Sequence, residues 1–456
     1  MYLLNKDILL RFEFFGGVLI NKNNFSRYEL NKSQIIFLKA LDEVGNLENA
    51  EKIHDAIIEK KEYDINKLIQ MGIIVVDNAE EQNNYNNELI IESLKEKLKE
   101  LSEYSFLSAP LEVTIYPTLN CNLDCKFCFL KNKISTEVNI KKWLEIIAEA
   151  KSIGILSVSI LGGEPSIYKE IDELLLGIES IGIKATITTN GTKLKESTKK
   201  ILLNSKYITP VISLQCLNYK NKELMGTEYT KQLEVVEYFI KNSKPVRINS
   251  VYTNQSEEDF FEMIDFVVNR GIDRYSIATY VASNETNSVF KTKTLADSRI
   301  LDEKIQAYIN ERYKNKKVNY LVEGCLLYSA YPEIMNEIGD LSEFNKLYYG
   351  CRAARTKIEI YANGDVYPCI CFENQIQPTS NILKDTLIDI WKYDLNMNLL
   401  RTQKVTNNTC LNCGFNDFCN GGCPAIKQKY YGEKYNQFKD PNCCICNDNL
   451  LELKKI

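Results

Sequence analysis

Three cysteines stand close together in Cys121-Asn-Leu-Asp-Cys125-Lys-Phe127-Cys128. The spacing is C-x3-C-x-φ-C, with an aromatic just before the last cysteine. Thiolates this close can each hold one iron of a [4Fe–4S] cube and leave the fourth iron open. A zinc knuckle or scattered core cysteines would draw on the same residues. The preceding run, Leu111 to Tyr116, alternates and is β-branched, which predicts a strand feeding a loop. Loops after strands are where α/β folds usually place chemistry.

The chain has 456 residues with fifteen cysteines and one histidine, His54. No run reaches eighteen apolar residues, and the first twelve residues carry Lys6, Asp7 and Arg11, so neither a secretory signal nor a membrane-spanning helix is expected. A cytoplasmic setting keeps thiols reduced and turns the cysteine count toward metal rather than disulfides. Ten of the cysteines fall in 351–456. A single histidine excludes His-rich metal sites and argues against Ser-His-Asp or Cys-His catalysis. His54, in a charged helical stretch, reads as an ordinary helix residue. A formal net charge of −5 gives no electrostatic case for nucleic acid or an anionic membrane.

Further candidates lie at strand ends. The second strand runs into Leu161-Gly162-Gly163-Glu164-Pro165. Its two glycines let the backbone approach a ligand closely, and Glu164 is an acceptor that could meet an ammonium group. The third ends in Thr188-Thr189-Asn190-Gly191-Thr192, whose Asn-Gly is a common turn pair. The fourth ends in Ile212-Ser213-Leu214-Gln215. In the tail, Asn363-Gly364 between alternating runs predicts a hairpin with Cys369 on its return strand and Cys371 on the same face. Cys351 precedes it. Cys410-x2-Cys413-x5-Cys419-x3-Cys423 follows, then Cys443, Cys444 and Cys446. A C-x2-C pair by itself suits zinc or iron–sulfur.

The elements that must position these residues fall into blocks. Residues 1–77 read as short strands (8–14, 18–21, 27–30) and three helices, the first opened by an Asn31/Gln34 capping box, then 47–60 and 64–71. That is a winged-helix-like module, yet ten Lys/Arg against twelve Asp/Glu deny it a DNA-binding footprint. Residues 78–110 read as a polar linker with a charged helix. From 111 to 315 strands (111–116, 157–161, 184–189, 208–214, 246–252, 274–279) alternate with helices, which argues for an α/β fold with a parallel sheet and right-handed crossovers. Residues 316–350 bridge to a cysteine-rich block, 351–456.

The C-x3-C-x-φ-C motif resembles that of the radical S-adenosylmethionine (SAM) enzymes. The resemblance implies a partial (β/α)6 barrel and a cluster at Cys121, Cys125 and Cys128 whose open iron binds SAM. It further implies reductive cleavage to a 5′-deoxyadenosyl radical that abstracts hydrogen from substrate. It puts Phe127 against the adenine, Gly162, Gly163, Glu164 and Pro165 at the amino group, Thr189 and Asn190 near the ribose and carboxylate, and Ser213 on the cofactor. Related enzymes carry Asp where Gln215 stands and Arg-Gly where Met225-Gly226 stands, so Arg247 is a candidate substitute for the arginine. The tail series resembles the SPASM domain, which implies two auxiliary [4Fe–4S] clusters. One is implied at Cys410, Cys413, Cys419 and one of Cys443, Cys444 and Cys446, with Cys443 favoured by the spacing of Asp440-Pro-Asn-Cys443; the other is implied at Cys351, Cys369 and Cys423, with Cys325, Cys371 or an open site as the fourth ligand. Arg11-Phe-Glu-Phe-Phe-Gly-Gly-Val18 resembles the PqqD-like element that recognises precursor peptides, which implies leader binding by β-augmentation. Together these resemblances imply a peptide maturase whose first-choice product is a cysteine sulfur-to-carbon thioether, the alternatives being a carbon–carbon crosslink, epimerisation, sulfatase formylglycine maturation or a non-catalytic iron–sulfur or zinc scaffold. They imply a leader-bearing precursor peptide and an electron donor such as flavodoxin or ferredoxin as partners, with neither nucleic acid nor membrane.

Overall fold

The computed structural model describes residues 2–23, 26–76, 85–130, 136–281, 289–314, 316–324, 326, 342–373 and 375–443. Cys325, Cys444 and Cys446 lie outside them, as do residues 327–341. The chain divides into two compact units, Met1–Pro110 with Asp340–Lys346, and the remainder.

The first unit contains β1 (Tyr2–Leu4), β2 (Ile8–Glu13), β3 (Gly16–Asn21), β4 (Arg27–Leu30) and β5 (Ile74–Val76). β2, β3 and β4 form an antiparallel sheet, while β1 pairs with β5. The capping box expected at Asn31 and Gln34 opens the helix Lys32–Val44. The second helix stops at Asp55, short of residue 60. The helix Asn87–Ser102, expected in a linker, buries Leu94 and Leu101 in the core of this same unit. Its leucines recur at helical spacing, so one face must be covered. Arg11 and Glu13 are buried partners: Arg11 Nε donates to Glu13 Oε1 across 2.5 Å, and Glu13 Oε2 accepts the Ser108 N–H at 2.6 Å. Both ends of the unit are thereby tied by the residues that carry the likeness to a recognition element.

The second unit is built on a nine-stranded sheet ordered β12-β11-β10-β9-β8-β7-β6-β13-β14. All six expected strands are present: β6 (Glu112–Ile115), β7 (Ser157–Ile160), β8 (Lys184–Thr189), β9 (Ile208–Ser213), β10 (Arg247–Tyr252) and β11 (Arg274–Thr279). They pair in parallel, in chain order. Along β7 to β9, residues such as Val158, Ile160, Ala185, Ile187, Ile208 and Ile212 are buried, while the alternate positions are half-exposed. Helices cover the buried face; Trp143 on Ile140–Ser152 is fully buried. The half-exposed face is polar, with Ser159, Thr186, Thr209 and Ser213 along it.

Three strands extend this sheet beyond the six. β12 (Tyr320–Glu323) adds in parallel to β11. At the other edge β13 (Lys357–Ile360) pairs in parallel with β6, and β14 (Val366–Tyr367) returns antiparallel to β13. The Asn363-Gly364 hairpin therefore forms as expected, and it belongs to the barrel sheet. β14 ends at Tyr367, so Cys369 and Cys371 lie past the strand and do not share a strand face: Cys369 caps a tight turn, Ile370–Phe372, and Cys371 lies inside it. Pro368, with no N–H to give a ladder, intervenes.

Candidate functional site

The loops after β6, β7, β8 and β9 meet at the C-terminal ends of their strands. Cys121, Cys125 and Cys128, all half-buried reduced thiols, occupy the first loop. The chain curls there: Leu123 N–H points at Cys121 Sγ (3.4 Å) and Cys128 N–H donates to Cys125 O (3.0 Å). The short helix Lys220–Met225 backs the curl, with Leu224 O accepting the Lys126 N–H (2.9 Å) and Met225 O lying 3.8 Å from Cys125 Sγ. Met225-Gly226 thus supports the cysteine loop through its backbone. Phe127 is half-buried within the same loop.

Gly162 and Gly163 run along that loop. Gly163 N–H donates to Thr118 O (3.0 Å) and Glu164 N–H to Asn120 O (2.8 Å). A Cβ on Gly162, where φ is +139°, would stand 2.3 Å from Thr118 O; one on Gly163 would stand 2.2 Å from Asn120 O. These glycines permit a close approach to the cysteine loop itself.

Glu164 is 1% exposed. Its carboxylate accepts the Ser166 N–H (3.0 Å), the Thr189 hydroxyl (2.5 Å) and the Asn190 N–H (2.7 Å). Pro165 opens the tight turn that Glu164 caps. The Glu164 side chain therefore fixes the next loop. Asn190 Nδ2 in turn donates to Asn122 Oδ1 (3.1 Å), and Asn122 Nδ2 to Thr192 Oγ1 (2.7 Å). Asn122 lies inside the cysteine motif, so one polar chain runs from Glu164 through Asn190 to the metal-ligand candidates. The bond between Asn122 and Thr192 has no signal in the sequence, because nothing local shows that the two loops touch. Ser213 ends β9, half-exposed, beside Asn249 of β10.

Gln215 carries a structural bond in place of the family's aspartate: its Oε1 accepts the Val251 N–H (2.7 Å). Arg247 opens β10 and pairs with Asp273 (2.9 Å), at the end of the strand opposite the cysteines, so it does not supply the missing arginine.

In the tail the described thiols sort into two groups. Cys410, Cys413, Cys419 and Cys443 line one cavity, with Gly421, Gly422 and Asp440 in its wall. Cys351, Cys369, Cys371 and Cys423 pack against Ala353, Phe372 and Ala425. Asp440 joins the groups: its carboxylate accepts the Cys423 N–H (2.7 Å), and its backbone carbonyl accepts the Cys443 N–H (3.0 Å).

The donor set suits a multi-iron group. Among the described residues no three His, Cys, Asp or Glu side chains converge as donors to one metal ion. In a [4Fe–4S] cube each thiolate serves a different iron. Burial, then the neighbouring Cys128 and Cys121 thiols and Asp124, push the Cys125 thiol up to about 12. Burial and Cys443 and Cys413 do the same for Cys419, also to about 12. Thiolates gathered under such conditions need bound cationic iron to offset their charge.

His54 is fully buried, with Ser33 Oγ 2.9 Å from one ring nitrogen and Asp55 Oδ1 2.8 Å from the other. The order mimics a hydrolytic triad. Ser33, however, is 3% exposed and its oxygen accepts the Glu62 N–H (2.9 Å), so no substrate can reach it. The cluster is structural.

Comparison with known proteins agrees with this geometry. The Radical SAM superfamily matches residues 115–267, and the SPASM iron–sulfur cluster-binding domain matches 351–414. Streptococcus suis SuiB bound to S-adenosylmethionine is similar over 97% of this chain and 100% of its own, at 40% identity and a TM-score of 0.85. SuiB bound to the precursor peptide SuiA gives 40% identity, a TM-score of 0.86, and 98% and 100% coverage. The PqqA peptide cyclase of Rhizobium meliloti (strain 1021) is 22% identical over 346 residues, 73% of this chain and 87% of that protein. Among the described residues no helix is long and apolar enough to cross a membrane. The chain is an enzyme of the radical SAM superfamily that carries a SPASM iron–sulfur cluster-binding domain.

Proposed function

We propose that this enzyme closes a crosslink within a ribosomally made precursor peptide, in the cytoplasm. The observation that carries the reading is the 40% identity along nearly the whole chain to SuiB, a protein seen with both S-adenosylmethionine and a precursor peptide. A peptide cyclase among the curated relatives supports ring closure over epimerisation. A cysteine sulfur-to-carbon thioether is our first choice of bond; a carbon–carbon bond is the second.

In this reading residues 1–77 recognise the leader, the helix Asn87–Ser102 completes that unit, 111–315 form the radical SAM barrel, 316–350 bridge, and 351–456 hold the auxiliary clusters. Cys121, Cys125 and Cys128 hold the reducing [4Fe–4S] cluster, and one tail group of thiols holds each auxiliary cluster. Bound there, cluster and SAM supply a 5′-deoxyadenosyl radical that takes hydrogen from the peptide. The chain's own residues aim and shield. Phe127 backs the adenine; Gly162, Gly163 and Pro165 shape the loop that meets the amino group; Glu164 sets Thr189 and Asn190 in place; Ser213 presents a hydroxyl from the barrel face. A flavodoxin or ferredoxin supplies the electron.

The test is anaerobic reconstitution with about twelve irons per chain, three cubes of four, followed by dithionite, SAM and the peptide encoded by a neighbouring small reading frame. Expected are 5′-deoxyadenosine and a peptide lighter by two hydrogens. Loss of one alkylatable cysteine thiol marks the thioether; its retention marks the carbon–carbon bond. Failure to cleave SAM overturns the reading.

A further inference from the structure

Cys419 belongs to one group of tail thiols and Cys423 to the other, and Asn420, Gly421 and Gly422 join them in the chain. Lys427 stands one helical turn after Cys423, on Pro424–Tyr431, where its N–H donates to Cys423 O (3.0 Å). Its side chain turns back over the joining residues. The ammonium donates to Asn420 O at 3.4 Å, and a Cβ on Gly421 would stand 3.0 Å from it. The same side chain lines a pocket with Cys351 and Cys419, one thiol from each group. Lys427 is 2% exposed, and among the described residues no carboxylate forms an ion pair with it. Lysines are almost never buried this deeply unless negative charge lies close by. Burial pushes its ammonium below the usual value, and the Cys410, Cys419 and Cys423 thiols and Asp440 act in the opposite sense.

A [4Fe–4S] group held by thiolates is an anion that becomes more negative as it takes up an electron, so charge beside it sets its potential. A cation fixed in a dry interior acts strongly at such range. We propose that Lys427 is a positioning residue shared by the two auxiliary clusters, whose buried ammonium favours the reduced form of each and raises both reduction potentials. Closing a bond between a peptide carbon radical and a thiol releases one proton and one electron. Lys427 makes the tail a better acceptor for that electron, while the proton passes to water. The inference rests on the reading of the tail as a two-cluster domain.

The experiment uses the full chain with Cys121, Cys125 and Cys128 changed to Ala, which removes the reducing cluster and leaves about eight irons. Potentiometric titrations of this parent and its variants are followed by electron paramagnetic resonance. Lys427→Met keeps the length of the side chain and removes its charge. At a fixed potential the ratio of reduced to oxidised cluster should fall about tenfold at both sites, equivalent to about 59 mV for a one-electron couple. Lys427→Arg keeps the charge and should stay near the parent. Lys404→Met, on the exposed rim of the same pocket, should shift the ratio by less than about twofold, because water and salt screen that charge. Parent-like potentials in iron-loaded Lys427→Met overturn the proposal. So does a shift confined to one cluster, a shift in Lys427→Arg as large as that of Lys427→Met, or an equal shift in Lys404→Met. If Lys427→Met and Lys427→Gln both lose their iron while Lys427→Arg stays loaded, the lysine serves assembly and the tuning role is overturned. Should the parent hold no clusters at all, the reading of the tail falls instead.

Discussion

The backbone N–H of Asn190 donates to the Glu164 carboxylate across 2.7 Å, so a side chain from one barrel loop sets the conformation of the next. Glu164→Gln replaces one acceptor oxygen with a donor that must face another donor in a buried site. A mismatch of that kind costs about 1–3 kcal/mol. The variant is expected to melt a few degrees lower and to form 5′-deoxyadenosine about tenfold more slowly or worse, the kinetic equivalent of ~1.4 kcal/mol. A melting curve and turnover equal to the parent's would show the contact to be idle.

Asn122 makes two side-chain hydrogen bonds, to Asn190 and Thr192, from within the cysteine motif. Asn122→Ala removes both, at about 1 kcal/mol each. Iron content should hold, because no thiol is touched, while SAM affinity measured by calorimetry should fall about tenfold or more. Iron loss without a change in affinity would place the role of Asn122 in cluster assembly instead.

A methyl group at residue 162 has no room. Its carbon would stand 2.3 Å from Thr118 O, and the backbone already sits at φ +139°. Gly162→Ala should displace the loop that leads into Cys121, and reconstituted iron should drop from about twelve to about eight per chain as the reducing cluster is lost. Full iron with a normal SAM-dependent resonance would contradict this.

Glu112, which opens β6, pairs with Arg352 of the tail at 2.7 Å. Burial pushes its carboxyl upward, but Arg352 and Lys357 outweigh burial and hold it below the usual value of 4.5. A lowered folded-state value means that the pair stabilises the chain above pH 4.5 and that the stabilisation is lost as pH falls through the lower folded value. Denaturant titrations below pH 5 should therefore be steeper in pH for the parent than for Arg352→Met. Parallel curves would show that the pair does not couple to folding.

Much of this arrangement is local and could be read in advance. The strands Ser157–Ile160 and Lys184–Thr189 alternate residue by residue, and the first helix announces itself through Asn31 and Gln34. Strand β1, three residues long, carries too little pattern to be seen. What could not be read is long-range. No spacing reveals that Asn122 meets Thr192, or that Glu164 spends its carboxylate on the neighbouring loop. Nor does any spacing reveal that Gly162 and Gly163 run against Thr118 and Asn120. Arg247 is a plausible substitute until β10 is seen to start at the opposite end of the sheet. No local pattern shows that Asp440 braces two cysteines.

The pairing of β6 with β13 has a bearing on how the molecule comes to exist. On the ribosome the first barrel strand emerges early, and its outer neighbour is among the later segments to be made. Until then β6 shows a bare row of backbone donors and acceptors, an invitation to aggregate. A gene cut before residue 357 would leave that row permanently uncovered, so the catalytic portion should not be obtainable as a well-behaved fragment.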